Sequence, residues 1–491
     1  MKRLSSATFG SLPQSVRRPQ YDRGATKIGI VHLGIGAFHR AHQAIYTEDV
    51  LNLQAGNWAV LGASLRRPDV RDQLHAQDNL YTVLQRDEDG EDIRLIGAVK
   101  EIVVAPQNPR RLTQAIASPA VKIVSLTVTE KGYYLGPATG HLQLEHPDIR
   151  HDLKNPDQPK TIFGYLLAAL KLRRVKGLPL TLMSCDNLPK NSQVLQQALL
   201  AFAAISCPET KAWIKEHCRF PCTMVDRMVP ATTDEDRRDV AKKINLQDQA
   251  LVVCEPFRQW VIEDNFACGR PAWEKAGALI VKDVNPYEEI KLRLLNGAHS
   301  AIAYLGFLAG FDYIYQASQN KTMVRYVKKL MDAEITPGLN VPEDIDIEDY
   351  KNSILKRFSN PNVKYTTVQV ATDGSQKLPQ RWLDSLYHQI GDGGQYDLLC
   401  LALAGWIRYL RGVDEKGVHY DYSDPLRAVL LKSVTVPNIT LRQQVINILS
   451  VDAVFVPGLQ ENIPLVDKIA GWLEILDREG ALKTIEIALR P

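Results

Sequence analysis

Residues 121–129, VKIVSLTVT, narrow what this chain can become more than any other stretch. The run is almost wholly apolar and β-branched before it turns polar at its end, so it has no wet face to offer. A strand of that kind is buried on both sides, which places it inside a parallel sheet covered by helices. A shorter apolar run at 27–33 ends in glycines and is followed over 37–51 by sequence of helical character, the order strand, glycine turn, helix. Strand-like runs at 58–65 and 178–183, β-rich pieces at 80–85 and 93–104, and helical patterns at 162–174, 193–205 and 208–217 continue the alternation. It predicts a doubly wound α/β domain over residues 1–284. From residue 285 to 491 long helical stretches take over (286–311, 323–333, 398–411, 425–432, 441–450 and 463–479), predicting a second, mainly α-helical domain.

With 491 residues, 45% of them hydrophobic, each domain can bury a full core without staples. A net charge of +3, from 59 Lys and Arg against 56 Asp and Glu, gives no field that would recruit nucleic acid or an anionic membrane. The basic run at 171–176 reads as the solvated end of a helix. Seven cysteines, an odd number without regular spacing, argue for a reducing, cytoplasmic setting rather than a disulfide framework. Cys218, Cys222 and His217 lie near one another but lack a fourth ligand at zinc spacing, so no metal site is expected. The longest apolar run, 298–311, is about 14 residues, too short to span a bilayer. The stretch before the first strand reads as a plain polar leader.

The first turn reads Gly34-Ile-Gly36-Ala-Phe38-His39-Arg40. Gly34 and Gly36 would let the backbone turn tightly and approach a pyrophosphate held at the helix N-terminus, as in a Rossmann-type domain. His39 stands where the usual fingerprint has its third glycine, so the motif alone leaves a plain tight turn open. Asp69, 33 residues after Gly36, lies just beyond the strand at 58–65, where an acid that binds the adenosine ribose is expected. A carboxylate there favours NAD over NADP; the neighbouring Arg66 and Arg67 would favour NADP, and an exposed loop acid is the third possibility.

Asn285 and Pro286 read as the N-cap and first residue of the next helix. Counting from Lys291 at about 100° per residue, Glu288 falls near 60°, His299 near 80° and Asn296 near 140°. Ile290, Leu294, Ala298 and Ala301 occupy the opposite arc as a core face. The polar side is either solvated or, since Leu292 and Leu295 fall within it, the wall of a cleft. In a cleft Lys291 would serve as a general acid/base, its pKa lowered by desolvation, with Asn296 and His299 fixing a substrate oxygen.

Seven segments together resemble one family: GxGxFHRAH at 34–42, SLTVTEKGY at 125–133, MSCDN at 183–187, MVDR at 224–227, EPFRQWVIEDNF at 255–266, K-x4-N-G-x-H at 291–299 and DGSQKLPQR at 373–381. The chain resembles the polyol-specific long-chain dehydrogenase/reductases, the mannitol dehydrogenase family, from about residue 21 to 478. That resemblance implies NAD-dependent, zinc-independent hydride transfer. It implies Lys291 as the catalytic lysine, Asn187 and Asn296 as oxyanion-hole amides, and His299 on a substrate hydroxyl. Glu288 and Asp226 would be acids behind the lysine that relay the proton to solvent, and Lys377 would contact substrate. Gly34, Gly36, Phe38, His39, Arg40, Asp69, Thr129 and Glu130 would hold the cofactor, Asp69 by the ribose.

Within the family, Lys131 in TEKGY and the DGSQKLPQR run look more like the fructuronate reductase branch, while Gln369, eight residues before Lys377, stands where mannitol dehydrogenases have an arginine and so removes a cation nearby. Lys131 would give a uronate carboxylate a charge-assisted partner. The expected reaction is therefore the interconversion of D-fructuronate and D-mannonate. Mannitol/fructose or another polyol or hexonate is the alternative within the family, and a non-catalytic nucleotide-binding regulator the minor one. The expected partner is a small uronate or polyol, with the chain a monomer or small homo-oligomer.

Overall fold

The computed structural model describes residues 1–136 and 139–490, which fall into two compact units, Met1–Asn285 and Pro286–Pro491. The first unit is built on six parallel strands: β1 (Ile28–Leu33), β2 (Ala59–Ser64), β3 (Val99–Val104), β4 (Ile123–Leu126), β5 (Leu180–Ser184) and β6 (Cys218–Arg219). Their order is β3-β2-β1-β4-β5-β6, so the winding reverses between β1 and β4. That reversal opens a crevice at the carboxyl ends of the two strands, where α/β sheets take ligands.

Central strand β4 bears out the expectation drawn from its composition, and all four of its residues are buried. Alternate side chains point to opposite faces. Val124 and Leu126 join Val31, Leu33, Leu166 and Leu199 in one core, while Ile123 joins Ile30, Ile45 and Val83 in the other. The strand is shorter than the 121–129 run because the polar residues from Thr127 onward leave the sheet.

The apolar piece at 93–104 is two strands rather than one. Glu91–Ile96 turns back on Tyr81–Arg86 as an antiparallel pair, and Val99–Val104 becomes β3. The break falls at Gly97, where the Glu48 carboxylate accepts the backbone N–H groups of Gly97 and Ala98 at 2.8 and 2.7 Å. Another three-stranded sheet pairs Thr223–Asp226 antiparallel with Gln259–Glu263, which runs parallel to Leu279–Val281.

The N-terminal stretch is not a plain polar leader. Leu4, Leu12 and Val16 are buried against Leu80, Val240, Ile244 and Leu251, and Lys2–Arg3 pairs with Leu246–Gln247. Three apolar side chains without periodicity suffice to dock the segment, because the surface they cover is built by residues far away in the chain.

The second unit is helical, around the buried helix Asp397–Leu410 and its neighbours Gly297–Leu308 and Ile463–Glu479. Helix Ile347–Phe358, which the sequence pattern does not announce, is capped by the Asp346 carboxylate on the N–H groups of Glu348 and Asp349. The expected single helix over 286–311 is interrupted. Asn285–Ile290 and Gly297–Leu308 are α-helical, and Lys291–Asn296 between them is π-helical. At the start of this helix the backbone and side-chain nitrogens of Asn285 both donate to Asp283 Oδ1, at 2.9 and 2.7 Å. Two further π-helical turns, Leu330–Ile335 and Pro379–Leu383, occur among the described residues of this unit.

Candidate active site

Gly34 ends β1 with φ +98°, and a Cβ there would stand 2.1 Å from the carbonyl oxygen of Thr127. No other residue fits that position. Gly36 is different: its φ is −79°, it is exposed, and a Cβ would meet nothing nearer than 3.9 Å. The fold therefore does not demand glycine at 36, and the open space above its backbone suits a close ligand.

His39 and Arg40, at the start of the succeeding helix, turn inward. His39 stacks on His32 with ring centroids 3.5 Å apart. His32 in turn bonds Ser125 Oγ and Thr127 Oγ1, both at 2.8 Å, tying β1 to β4. Burial holds His32 down at about 3 and His39 well below its ordinary value, which favours the neutral form of both stacked rings. The Arg40 guanidinium donates to Ala250 O at 2.5 Å. Both side chains brace the turn from within, while Phe38 is half-buried and stacked on His42.

Beyond β4, Thr129 and Glu130 are exposed at the strand's carboxyl end, and Lys131 is exposed in the same turn. Thr129 has φ 64° and ψ 165°. Asn187 is exposed just past the neighbouring strand β5. The residue before it, Asp186, is buried and was not singled out in the sequence. Its carboxylate accepts from Thr129 N at 2.7 Å, Val128 N at 3.2 Å and Tyr133 Oη at 2.7 Å. Burial pushes the acid up to about 6 against the opposing pull of those bonds. Its place in MSCDN beside Asn187 was the available signal. Asn191 Nδ2 donates to Asp186 O and to Thr223 O, at 3.0 and 2.8 Å, linking the end of β5 to the strand that carries Asp226. Asp226 is itself buried. Asp69 opens the helix Asp69–His75 beyond β2, exposed, with Arg67 Nε at 3.7 Å. Gly34, Gly36, Thr129, Glu130 and Asn187 thus stand past the carboxyl ends of three adjacent strands.

In the second unit, Lys291 and Asn296 are each only 7% exposed, which removes the solvated-side alternative. The π-helical turn also changes the angles. Gly297 N–H reaches back five residues to Leu292 O, and the extra residue rotates the rest of the helix by about 100° relative to a regular one. Lys291 and Asn296 then lie roughly 40° apart, and the four polar residues narrow from an arc of about 140° to one of about 80°. The Asn296 side-chain nitrogen Nδ2 is buried with no acceptor among the described residues. It is one of several such atoms among the described residues, and its place beside the buried Lys291 makes it available to a ligand. His299 is half-buried and stacks on Phe358 at 4.7 Å.

Gly297 is favoured by close packing, since a Cβ there would stand 3.0 Å from Arg381 O, which would have to give way by a few tenths of an ångström, and 3.5 Å from the Trp382 ring. The same turn holds the helix from outside. Arg381 donates to Asn296 O at 3.2 Å and Ser300 Oγ at 2.7 Å, and Trp382 Nε1 donates to Gly297 O at 2.9 Å. Lys377 Nζ donates to Thr372 Oγ1 at 3.2 Å. Gln369 closes a capping box, its Oε1 accepting Thr366 N at 3.0 Å.

His217 lies against Trp213, with stacked rings 5.1 Å apart. Among the described residues no group of three or more His, Cys, Asp or Glu side chains is arranged to hold a metal, all seven cysteines are free thiols, and no helix is long and apolar enough to cross a membrane.

Comparison with known proteins gives the same division of the chain from another direction. Residues 28–275 match the mannitol dehydrogenase Rossmann domain and residues 283–477 the mannitol dehydrogenase C-terminal domain. Over 494 residues the chain is 44% identical to an uncharacterized oxidoreductase of Escherichia coli K12, covering 99% of this chain and 100% of the relative. It is 42% identical over 492 residues to D-mannonate oxidoreductase of the same organism, covering 98% and 99%. The solved structure of Pseudomonas fluorescens mannitol 2-dehydrogenase, a ternary complex with NAD and D-mannitol, is similar with a TM-score of 0.88 at 38% identity over 100% of both chains. On these matches, and on the strand order and side chains described above, the chain belongs to the mannitol dehydrogenase family.

Proposed function

We propose that this chain is an NAD-dependent oxidoreductase that interconverts D-fructuronate and D-mannonate, with Lys291 as its acid/base. The observation that carries the chemistry is the buried Lys291 on the same side of a π-helical turn as Asn296, whose Nδ2 has no acceptor among the described residues. NAD fits the glycine turn, because Gly36 leaves open backbone where any side chain would stand in the ligand's way.

When bound, the nicotinamide supplies or takes up the hydride. The chain's own residues do the rest. Lys291 Nζ gives a proton to the substrate oxygen as a ketone is reduced and, when neutral, removes it as an alcohol is oxidised. Asn296 and Asn187 donate side-chain N–H bonds to that oxygen as charge gathers on it. His299 holds a substrate hydroxyl, and Glu288 and Asp226 pass the proton on towards solvent. Phe38, Thr129 and Glu130 flank the cofactor, the Asp69 carboxylate accepts the ribose hydroxyls, and the residues after Gly36 offer backbone N–H groups to the pyrophosphate.

The uronate is favoured by the exposed Lys131 cation beyond β4, a charge-assisted partner for a carboxylate. The second reading, mannitol and fructose, is favoured by similarity at TM-score 0.88 to a mannitol 2-dehydrogenase. NADH oxidation measured side by side with fructuronate and fructose separates the two. Turnover of the uronate is expected, and turnover of fructose alone would refute the proposal.

A further inference from the structure

We infer that Asp186 is a positioning residue, its carboxylate clamping the Val128–Thr129 backbone so that Thr129 and Glu130 form a rigid seat for the cofactor beside Asn187. The inference deepens the reading of this site as an NAD site and rests on it.

Thr129, at φ 64° and ψ 165°, occupies a region of backbone space used essentially by glycine alone. A β-branched residue is among the worst suited to it. Such a conformation persists only where the surroundings over-determine it, and here they do. Asp186 Oδ1 accepts Thr129 N at 2.7 Å, while Oδ2 accepts Val128 N at 3.2 Å and Tyr133 Oη at 2.7 Å. Tyr133 Oη also meets Ser184 Oγ at 2.5 Å, and Gly132 N closes the turn on Thr129 O at 2.9 Å.

The clamp is anchored on its other side as well. Asn191 Nδ2 donates to the Asp186 carbonyl at 3.0 Å, fixing the backbone that leads into Asn187. One residue therefore sets the exits of β4 and β5 together. A turn with only a structural duty would be cheaper with glycine at 129. Keeping threonine there, exposed and strained, makes sense where its side chain and the neighbouring Glu130 are presented to a ligand.

Three donors converge on two carboxylate oxygens, so the acid is not replaceable by its amide. Asparagine would offer one acceptor and turn an NH2 group against at least one donor.

The test uses the full chain and three variants, Asp186→Asn, Thr129→Gly and the double variant, with two readouts: thermal unfolding without cofactor and NADH binding by fluorescence titration. Thr129→Gly should raise Tm by about 2 °C by releasing strain, yet weaken NADH binding about tenfold because the seat loosens. Asp186→Asn should lower Tm and weaken binding by at least about tenfold, and its Tm loss should shrink by about half in the Thr129→Gly background because the clamp then has less to hold. Tyr133→Phe, which keeps both amide bonds, should shift the NADH Kd by less than about threefold. A Tm lowered by Thr129→Gly, equal Tm losses from Asp186→Asn in both backgrounds, or an unchanged NADH Kd in Asp186→Asn overturns the inference while leaving the proposed function standing. A wild-type chain that does not bind NADH overturns the proposed function and the cofactor role together, and the Tm cycle then decides the clamp by itself.

Discussion

Gly34 and Gly36 are two residues apart in one turn, yet the structure assigns them opposite reasons for being glycine, and alanine at each should separate fold from function. In Gly34→Ala the new Cβ would overlap the Thr127 carbonyl oxygen at 2.1 Å on a backbone of φ +98°. The left-handed conformation costs about 1–2 kcal/mol for a residue with a Cβ, and relieving the overlap against a neighbouring strand about 1–3 kcal/mol more. A loss of about 3 kcal/mol corresponds to a Tm drop of roughly 6–12 °C for a unit of this size. In Gly36→Ala the φ of −79° suits alanine, and the Cβ makes only an ordinary van der Waals contact, 3.9 Å from Gly34 O. Losing glycine at this helix start and gaining from a stiffer unfolded chain nearly cancel, leaving stability within about 1 kcal/mol. If backbone at 36 must lie against the cofactor, the same methyl should weaken NADH binding by at least about tenfold, or 1.4 kcal/mol. Differential scanning calorimetry and NADH fluorescence titration on both variants provide the measurement. Equal Tm losses, or NADH binding in Gly36→Ala within twofold of wild type, would refute the argument.

Lys291→Ala should lower turnover by about 10²–10⁴-fold with NADH affinity nearly unchanged; near-normal turnover in steady-state assays would contradict the acid/base role. Since no step of the proposed chemistry uses a metal, dialysis against a chelator should leave turnover intact, and activity lost and then restored by zinc would count against the lysine mechanism. Gly297→Ala, with its Cβ 3.0 Å from Arg381 O, should cost about 1–3 kcal/mol by calorimetry, and no change in Tm would mean the π-helical turn is not tightly packed there. His32 is held at about 3 in the folded chain against an ordinary 6.5. Its contribution to stability is therefore fully present above pH 6.5 and declines as pH falls towards 3, by about 1.4 kcal/mol per pH unit. His32→Gln should flatten the acid limb of a stability-against-pH curve by that slope, and an identical slope would show that the ring is not held neutral.

Much of the first unit was legible in the sequence because its signals are local. Strand β4 had to be buried on both faces from its composition alone. The glycine turn announced itself by two residues, and the K-x4-N-G-x-H spacing marked one helix as carrying chemistry. Less legible were features that depend on distant partners. Leu4, Leu12 and Val16 carry no period, and become core only because residues 80–95 and 240–253 build the surface that receives them. His39 and Arg40 read as cofactor contacts from their position in the turn. Whether a side chain points in or out is decided by what lies behind it, here His32 and the Ala250 carbonyl.

Sequence alone thus determined the class of each unit and the chemical groups available, since periodicity, composition and motif spacing are properties of neighbouring residues. Tertiary structure decided how those groups are held. The π-helical turn that gathers Lys291 with Asn296 is seated against Arg381 and Trp382 some 85 residues away. The strained Thr129 survives because a carboxylate 57 residues on accepts its N–H. Such contacts override local preference because each fixes a backbone geometry that the neighbouring residues, left to themselves, would abandon.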